Sequence, residues 1–132
     1  MKRCPLIVAA LLSACSQADD RICESYDQNM PAADAKRHDT LQTAYDVKRC
    51  VHRWSFRLAQ AEGSISDVAQ AVVEACREPI GNHALAIGAE TLKAAQNGAP
   101  TTSDALEVIE ANAKATATFY VTMARAGHCK IP

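Results

Sequence analysis

The chain has 132 residues, enough for one small domain that buries only a modest share of its unfolded surface. Its 14 basic and 15 acidic residues nearly cancel, a balance that argues against a nucleic-acid-binding protein. Apolar residues make up 48% of the sequence but aromatic residues only 5%, so the apolar content is largely alanine, which favours helices and contributes little burial energy per residue.

Residues 1–18 have the organisation of a bacterial export signal. Lys2 and Arg3 form a charged start, and an apolar run over residues 5–14 follows. This run is much shorter than the ~20 residues of a membrane-spanning helix, so we interpret it as a signal and not as a transmembrane anchor. The sequence therefore predicts export to an oxidising compartment outside the cytoplasm.

Residues 12–15 read Leu12-Ser13-Ala14-Cys15 and resemble the lipobox of bacterial lipoproteins. The resemblance implies cleavage before Cys15, lipidation of its thiol and, with Ser16 next in the chain, anchoring at the outer membrane. The alternative is ordinary secretory cleavage after Ala18, which gives a freely soluble periplasmic or secreted protein. In the preferred interpretation residues 1–14 are the signal, 15–31 a tether and N-terminal segment, and 32–132 the helical domain. Loss of Lys2 and Arg3 leaves 12 basic against 15 acidic residues, a mature charge of −3.

Both cleavage positions leave the same four cysteines, namely Cys23, Cys50, Cys76 and Cys129. An even number of cysteines in a small exported domain predicts two disulfides, for which three pairings exist. The positions of the helices favour one of these pairings.

A long amphipathic helix is predicted over residues 32–61, which lack internal Pro and Gly. Its apolar side carries Val47, Val51, Trp54, Leu58 and Ala61. Gly63 ends it, Ser64 or Ser66 caps a second helix, and Cys50 and Cys76 lie equally far from this turn. An antiparallel hairpin brings them to the same level, which predicts a Cys50–Cys76 disulfide and leaves Cys23 to pair with Cys129.

Two further helices are predicted in the second half of the chain. Glu78-Pro79 ends or kinks the second helix, because proline lacks the N–H donor and restricts the residue before it. Leu85, Gly88, Leu92 and Ala95 then mark the inner face of a third helix, which stops at residues 97–100. A capping box at 101–104 starts the fourth, with Leu106, Ile109, Ala113, Ala117, Tyr120 and Ala124 on its apolar side and Gly127 at its end. The fold class predicted is an all-α, antiparallel up-down bundle of about four helices.

An arginine stripe is the most suggestive surface feature. Arg49, Arg53 and Arg57 recur every four residues, with Phe56 beside them, on the flank away from the apolar seam. Like charges at this spacing disfavour the helix slightly, and one interpretation is that an anionic group of another helix, a lipid surface or a partner protein compensates them. A solvated face explains the same pattern without a partner and is the simpler interpretation. Trp54 is assigned to the core.

Residues with catalytic or metal-binding chemistry form no familiar motif. His52, His83 and His128 lie near cysteines in sequence, but their spacing matches no metal site, and cysteines used in disulfides are unavailable as ligands. Glu74 with Glu78, and Glu107 with Glu110, share helix faces, as carboxylates on any solvated helix do. No haem-attachment, phosphate-loop or nucleophile motif occurs, so no cofactor is predicted.

These observations favour a non-catalytic interaction module of the cell envelope, of the adaptor, inhibitor or immunity type, that binds an envelope protein. The alternative is a small secreted enzyme or metal-binding helical bundle.

Overall fold

The computed structural model describes residues 39–94 and 101–128. This part of the chain is all-helical and forms four helices: α1 (Thr40–Leu58), α2 (Ile65–Ala75), α3 (Arg77–Ala94) and α4 (Thr102–Arg125). The predicted helical class and number of helices are therefore confirmed for these residues. The predicted signal, the lipidation at Cys15 and the Cys23–Cys129 pairing lie outside the described residues.

Side-chain caps set the start of three helices. Asp39 has an extended backbone and accepts a hydrogen bond from the Gln42 amide at 2.9 Å, so α1 begins at Thr40 and not at residue 32 as predicted. Ser64 and Thr101 each form a reciprocal capping box with the aspartate three residues later. Both capping boxes lower the pKa of the aspartate, chiefly through the side-chain hydrogen bond from the cap.

Only Cys76 separates α2 from α3. Its amide donates to the carbonyls of Val72 and Val73, and its carbonyl accepts from the Ile80 amide at 3.1 Å, so the chain passes directly from one helix into the next. Pro79 lies in the first turn of α3, where backbone amides have no partner within the helix, which explains why proline is accommodated there. The interruption predicted at Glu78-Pro79 thus occurs slightly earlier, as a joint at Cys76.

Because one residue cannot reverse the chain, α2 and α3 follow each other as a single jointed rod. Thr40 at the start of α1 hydrogen-bonds Glu90 near the end of α3, and Arg125 at the end of α4 contacts the connection between α1 and α2. The helices therefore form three rods that alternate in direction, α1, then α2 with α3, then α4. The antiparallel packing agrees with the prediction, but the four helices do not form four separate rods.

A disulfide joins Cys50 to Cys76, with their Cα atoms 5.8 Å apart. It links the middle of α1 to the joint between α2 and α3, and Cys76 is completely buried. The hairpin geometry inferred from the sequence therefore predicted this pairing correctly.

The core runs between the three rods, and its fully buried side chains are small or medium-sized: Val51, Val72, Ile80 and Val121, with Ala59, Ala69 and Ala117 between them. The predicted inner face of α3 is wrong in part, because Leu85 and Leu92 are 63% and 80% exposed. Ile80 is fully buried one turn after Cys76 and fixes the rotation of α3 about its axis. Ala84 and Gly88, four and eight residues later, therefore face inward.

Gly88 lies where α3 approaches the first turn of α4. A β-carbon at this position would lie 2.3 Å from the Thr102 hydroxyl oxygen, closer than any unbonded contact allows. The sequence correctly placed Gly88 on the inner side of the helix.

Arg125 joins the end of α4 to the connection after α1. Its Nε donates to the Ala59 carbonyl at 2.7 Å, and its two terminal nitrogens donate to the carbonyls of Ala61 and Gly63 at 2.8 and 3.1 Å. Gly63 has a φ of +113°, a conformation that glycine adopts without strain. These bonds satisfy carbonyls beyond the end of α1 that the helix leaves without a partner.

Candidate functional site

A groove with a cavity volume of about 350 Å³ lies between α1 and α3, open to solvent. It follows from the joint at Cys76, which sets the first turn of α3 beside the middle of α1. The side chains that line it come from both helices: Thr43, Asp46, Arg49, Cys50, Arg53 and Trp54 from α1, and Glu78, Pro79 and Asn82 from α3.

The α1 wall of the groove combines positive charge with an aromatic surface. A terminal guanidinium nitrogen of Arg49 lies 3.7 Å from a carboxylate oxygen of Asp46. This ion pair is exposed and contributes little to stability. Arg53 is exposed and makes no ion pair with any residue that the structure describes. Trp54 is half-buried: one part packs against the core, as predicted, and the other is exposed to the groove. The guanidinium carbon of Arg57 lies 5.5 Å from the centre of the Trp54 ring.

The α3 wall offers a flat apolar surface and two polar groups. Pro79 presents its ring to the groove, while Glu78 and Asn82 supply a carboxylate and an amide. The amide both donates and accepts hydrogen bonds, so it can recognise peptide backbone as well as side chains. The groove therefore has the composition of a site for a segment with one charged group and an adjacent apolar group.

His83 lies close to one end of the groove, where Thr43 forms part of the lining. The Thr43 hydroxyl is 2.9 Å from His83 Nδ1, so this contact links α1 directly to α3. Burial lowers the pKa of His83, and the nearby negative charge of Glu90 acts in the opposite direction. The neutral imidazole is therefore favoured in the folded protein.

The structure brings together the three predicted arginines but not Phe56. Arg49 and Arg53 line the groove, and Arg57 lies next to it over Trp54. Phe56 belongs to an aromatic cluster on the other flank of α1. Its ring centre lies 4.8 Å from that of His52 and 5.7 Å from that of Tyr120 on α4. The arginines therefore line or adjoin the groove, whereas Phe56 packs against His52 and Tyr120.

Sequence reasoning missed the contribution of α3 to the groove. The Glu78-Pro79 pair did signal a change in the course of the helix, and this is the signal that could have placed α3 beside α1. Nothing in the sequence marks Asn82, since its role depends on which side of α3 faces the groove.

The other candidate residues are dispersed. His52 is 7% exposed within the aromatic cluster, and Glu74 pairs with Arg77, whereas Glu78 lines the groove. Glu107 and Glu110 are exposed on α4. Among residues 39–94 and 101–128, no three histidine, cysteine, aspartate or glutamate side chains lie close enough to hold a metal ion.

None of the four described helices has the length and apolar character needed to cross a membrane. Comparison of the chain with protein-family models, with curated proteins and with solved structures finds no match.

Proposed function

We propose that this protein is a non-catalytic interaction module of the bacterial cell envelope, and that its α1–α3 groove binds a carboxylate-bearing segment of a partner protein. The observation that carries the proposal is the position of Arg53, exposed on the groove wall with no ion pair among the described residues, next to Trp54 and opposite Pro79. A guanidinium can bind a carboxylate through two parallel hydrogen bonds.

The neighbouring residues support a protein partner over a small anion. Tryptophan and arginine are the residue types that most often dominate the energy of protein interfaces. Asn82 can hydrogen-bond an extended peptide, and the volume of the groove suits one or two side chains. Asp46 and Glu78 add negative charge beside the arginines, which disfavours a ligand with several charges and favours one with a single carboxylate.

The binding test uses a photoreactive amino acid in place of Asn82 in living cells. We expect it to capture one envelope protein, and Arg53→Glu to reduce this capture at least tenfold, because a charge-assisted hydrogen bond contributes about 1.5–3 kcal/mol. Lys48→Glu is the matched control, since Lys48 is an exposed residue of α1 that does not line the groove. Equal capture by the Arg53→Glu and Lys48→Glu proteins, or capture of the same protein from position 110, contradicts the proposal.

The proposal includes the location of the protein and its second disulfide. We infer that cleavage before Cys15 leaves a lipid-anchored protein at the periplasmic side of the outer membrane and that Cys23 pairs with Cys129. The export signal, the resemblance to the lipobox and the even number of remaining cysteines support this. Intact mass of the mature protein checks the anchor: we expect an N-terminal Cys15 with added acyl mass. An unmodified N-terminus at Asp19 contradicts the anchor and leaves the groove proposal unchanged.

A further inference from the structure

One flank of the bundle exposes large apolar side chains. Leu41 on α1 is 78% exposed, and Val108 and Phe119 on α4 are 59% and 49% exposed. Val108 and Phe119 lie about three helical turns apart and therefore share one side of α4. The Phe119 ring contacts Tyr120, whose ring packs against His52 of α1. This side of α4 is therefore the side next to α1, opposite to the candidate groove.

The parallel course of α1 and α4 places Leu41 level with Val108. Two contacts fix the register, the ring contact of His52 described above and the hydrogen bond from Arg125 to the Ala59 carbonyl. Both helices rise by about 1.5 Å per residue, so the same number of residues covers the same distance along each. Leu41 precedes His52 by 11 residues and Ala59 by 18, and the same steps back from Tyr120 and Arg125 reach residues 109 and 107 of α4. Leu41 lies about three turns before His52 and so shares the side of α1 that meets α4. The three exposed side chains thus follow the line between α1 and α4, and we call them the apolar strip.

The chain that precedes α1 joins the bundle at one end of the apolar strip. Asp39 caps α1 only two residues before Leu41. In the preceding sequence Ile22, Tyr26 and Met30 recur every four residues, with polar residues in most of the positions between them. This spacing gives a segment one apolar side that needs a partner surface.

The proposed Cys23–Cys129 disulfide would tie the segment before α1 to the other end of the strip. Cys129 directly follows His128, so the two Cα atoms are ~3.8 Å apart, beyond the last turn of α4. Pairing with Cys129 would hold Cys23 at this end. From Cys23 to Asp39 the chain spans ~24 Å if helical and more if extended, against ~28 Å for the 19 residues of α1. The segment therefore has the length needed to follow the strip.

We propose that residues 19–38 of this same chain dock on the apolar strip, antiparallel to α1 and α4, with Ile22, Tyr26 and Met30 against it. The segment adds a fourth rod to the bundle and leaves the α1–α3 groove as the open face. This docking rests on the Cys23–Cys129 pairing of the proposed function and not on what the groove binds.

The first test is intramolecular photocrosslinking in the oxidised mature protein, with p-benzoylphenylalanine in place of Tyr26. The replacement keeps an aromatic ring at the position, and unchanged helical circular dichroism of the variant checks that the fold is retained. We expect the crosslink to map to α1 or α4 in a product of monomeric mass. A crosslink to α2 or α3, or between two chains, overturns the proposal, because it assigns the segment or the strip to a different partner.

The second test is carbene footprinting of the apolar strip in two variants that add the same charge. Tyr26→Asp is expected to raise the labelling of Leu41, Val108 and Phe119 at least threefold, whereas Gln28→Asp, on the other side of the segment, leaves it unchanged. Unchanged helical circular dichroism in both variants keeps the comparison valid. Wild-type labelling in Tyr26→Asp overturns the proposal, as does labelling of the wild-type protein that falls with rising protein concentration, which would indicate a second copy on the strip.

Discussion

His83 couples the packing of α1 against α3 to pH, since its ring contacts Thr43 across the two helices. Burial lowers its pKa in the folded protein, so the unfolded chain binds more protons once the pH falls to about 6.5, the ordinary pKa of histidine, and below. The contribution of His83 to stability is complete above this range and is lost as the pH falls through it towards the lowered pKa.

We therefore expect the free energy of unfolding to decrease between pH 7.5 and pH 5, and to decrease less in His83→Asn, whose amide keeps a polar group near the position of Nδ1. Urea denaturation of both proteins at the two pH values measures the difference. The same loss in both proteins would show that His83 does not contribute to the pH dependence.

The contrast between Arg53 and Phe56 shows how far single residues could be placed from the sequence. Both were assigned to one surface because they are close together on the same helix. The sequence contains no information on which flank of α1 meets Tyr120, a residue of α4 far along the chain. Charged side chains were placed correctly because they remain exposed wherever the neighbouring helix lies, whereas the place of an aromatic side chain depends on its distant partner.

At the level of elements, the Cys50–Cys76 disulfide ties α1 to the joint between α2 and α3. The two cysteines are 26 residues apart. Cross-linking a loop of this length is expected to stabilise the fold by ~3 to 4 kcal/mol in the chain-entropy model. We expect Cys50→Ala/Cys76→Ala to lose about this much free energy of unfolding and to keep its helical circular dichroism.

Urea denaturation of the double variant and the oxidised wild-type protein under the same conditions measures this loss. The Cys50→Ala/Cys76→Ala variant keeps Cys23 and Cys129, so the comparison isolates one disulfide. A difference below ~1 kcal/mol would mean that helix packing alone holds the joint in place.

Helix number and the first disulfide followed from the sequence because local patterns specify them. Apolar residues at spacings of three and four identified α1 and α2, and the turn at Gly63 fixed their pairing. The start of α1 was missed because a run without Pro or Gly permits a longer helix, and only the cap at Asp39 ends it there. The inner face of α3 was predicted wrongly because its buried side carries alanine and glycine, which are weaker hydrophobic signals than leucine. The prediction therefore placed Leu85 and Leu92 inward, and both are exposed.

Across the whole molecule, the two flanks of α1 have different chemistry. One forms the charged groove with α3, and the other forms the apolar strip with α4. The packing of other helices around α1 could be predicted from its amphipathic pattern. The groove could not, because it forms only where the chain continues from Cys76 into α3 beside α1. The proposals for the two flanks are therefore independent and can fail separately.

The single-residue joint also gives the middle rod a length that its neighbours do not match. Residues 65–94 make a rod ~45 Å long along its path, against ~28 Å for α1 and ~36 Å for α4. Thr40 meets Glu90, and Thr102 meets Gly88, so both neighbours begin before α3 ends. The final turn of α3, which carries Leu92, therefore extends past the starts of α1 and α4, the two helices beside it in the part of the chain that the structure describes. Leu92 is exposed on this turn, on the same side of α3 as the exposed Leu85 one heptad earlier, and the starts of α1 and α4 lie before it along the rod.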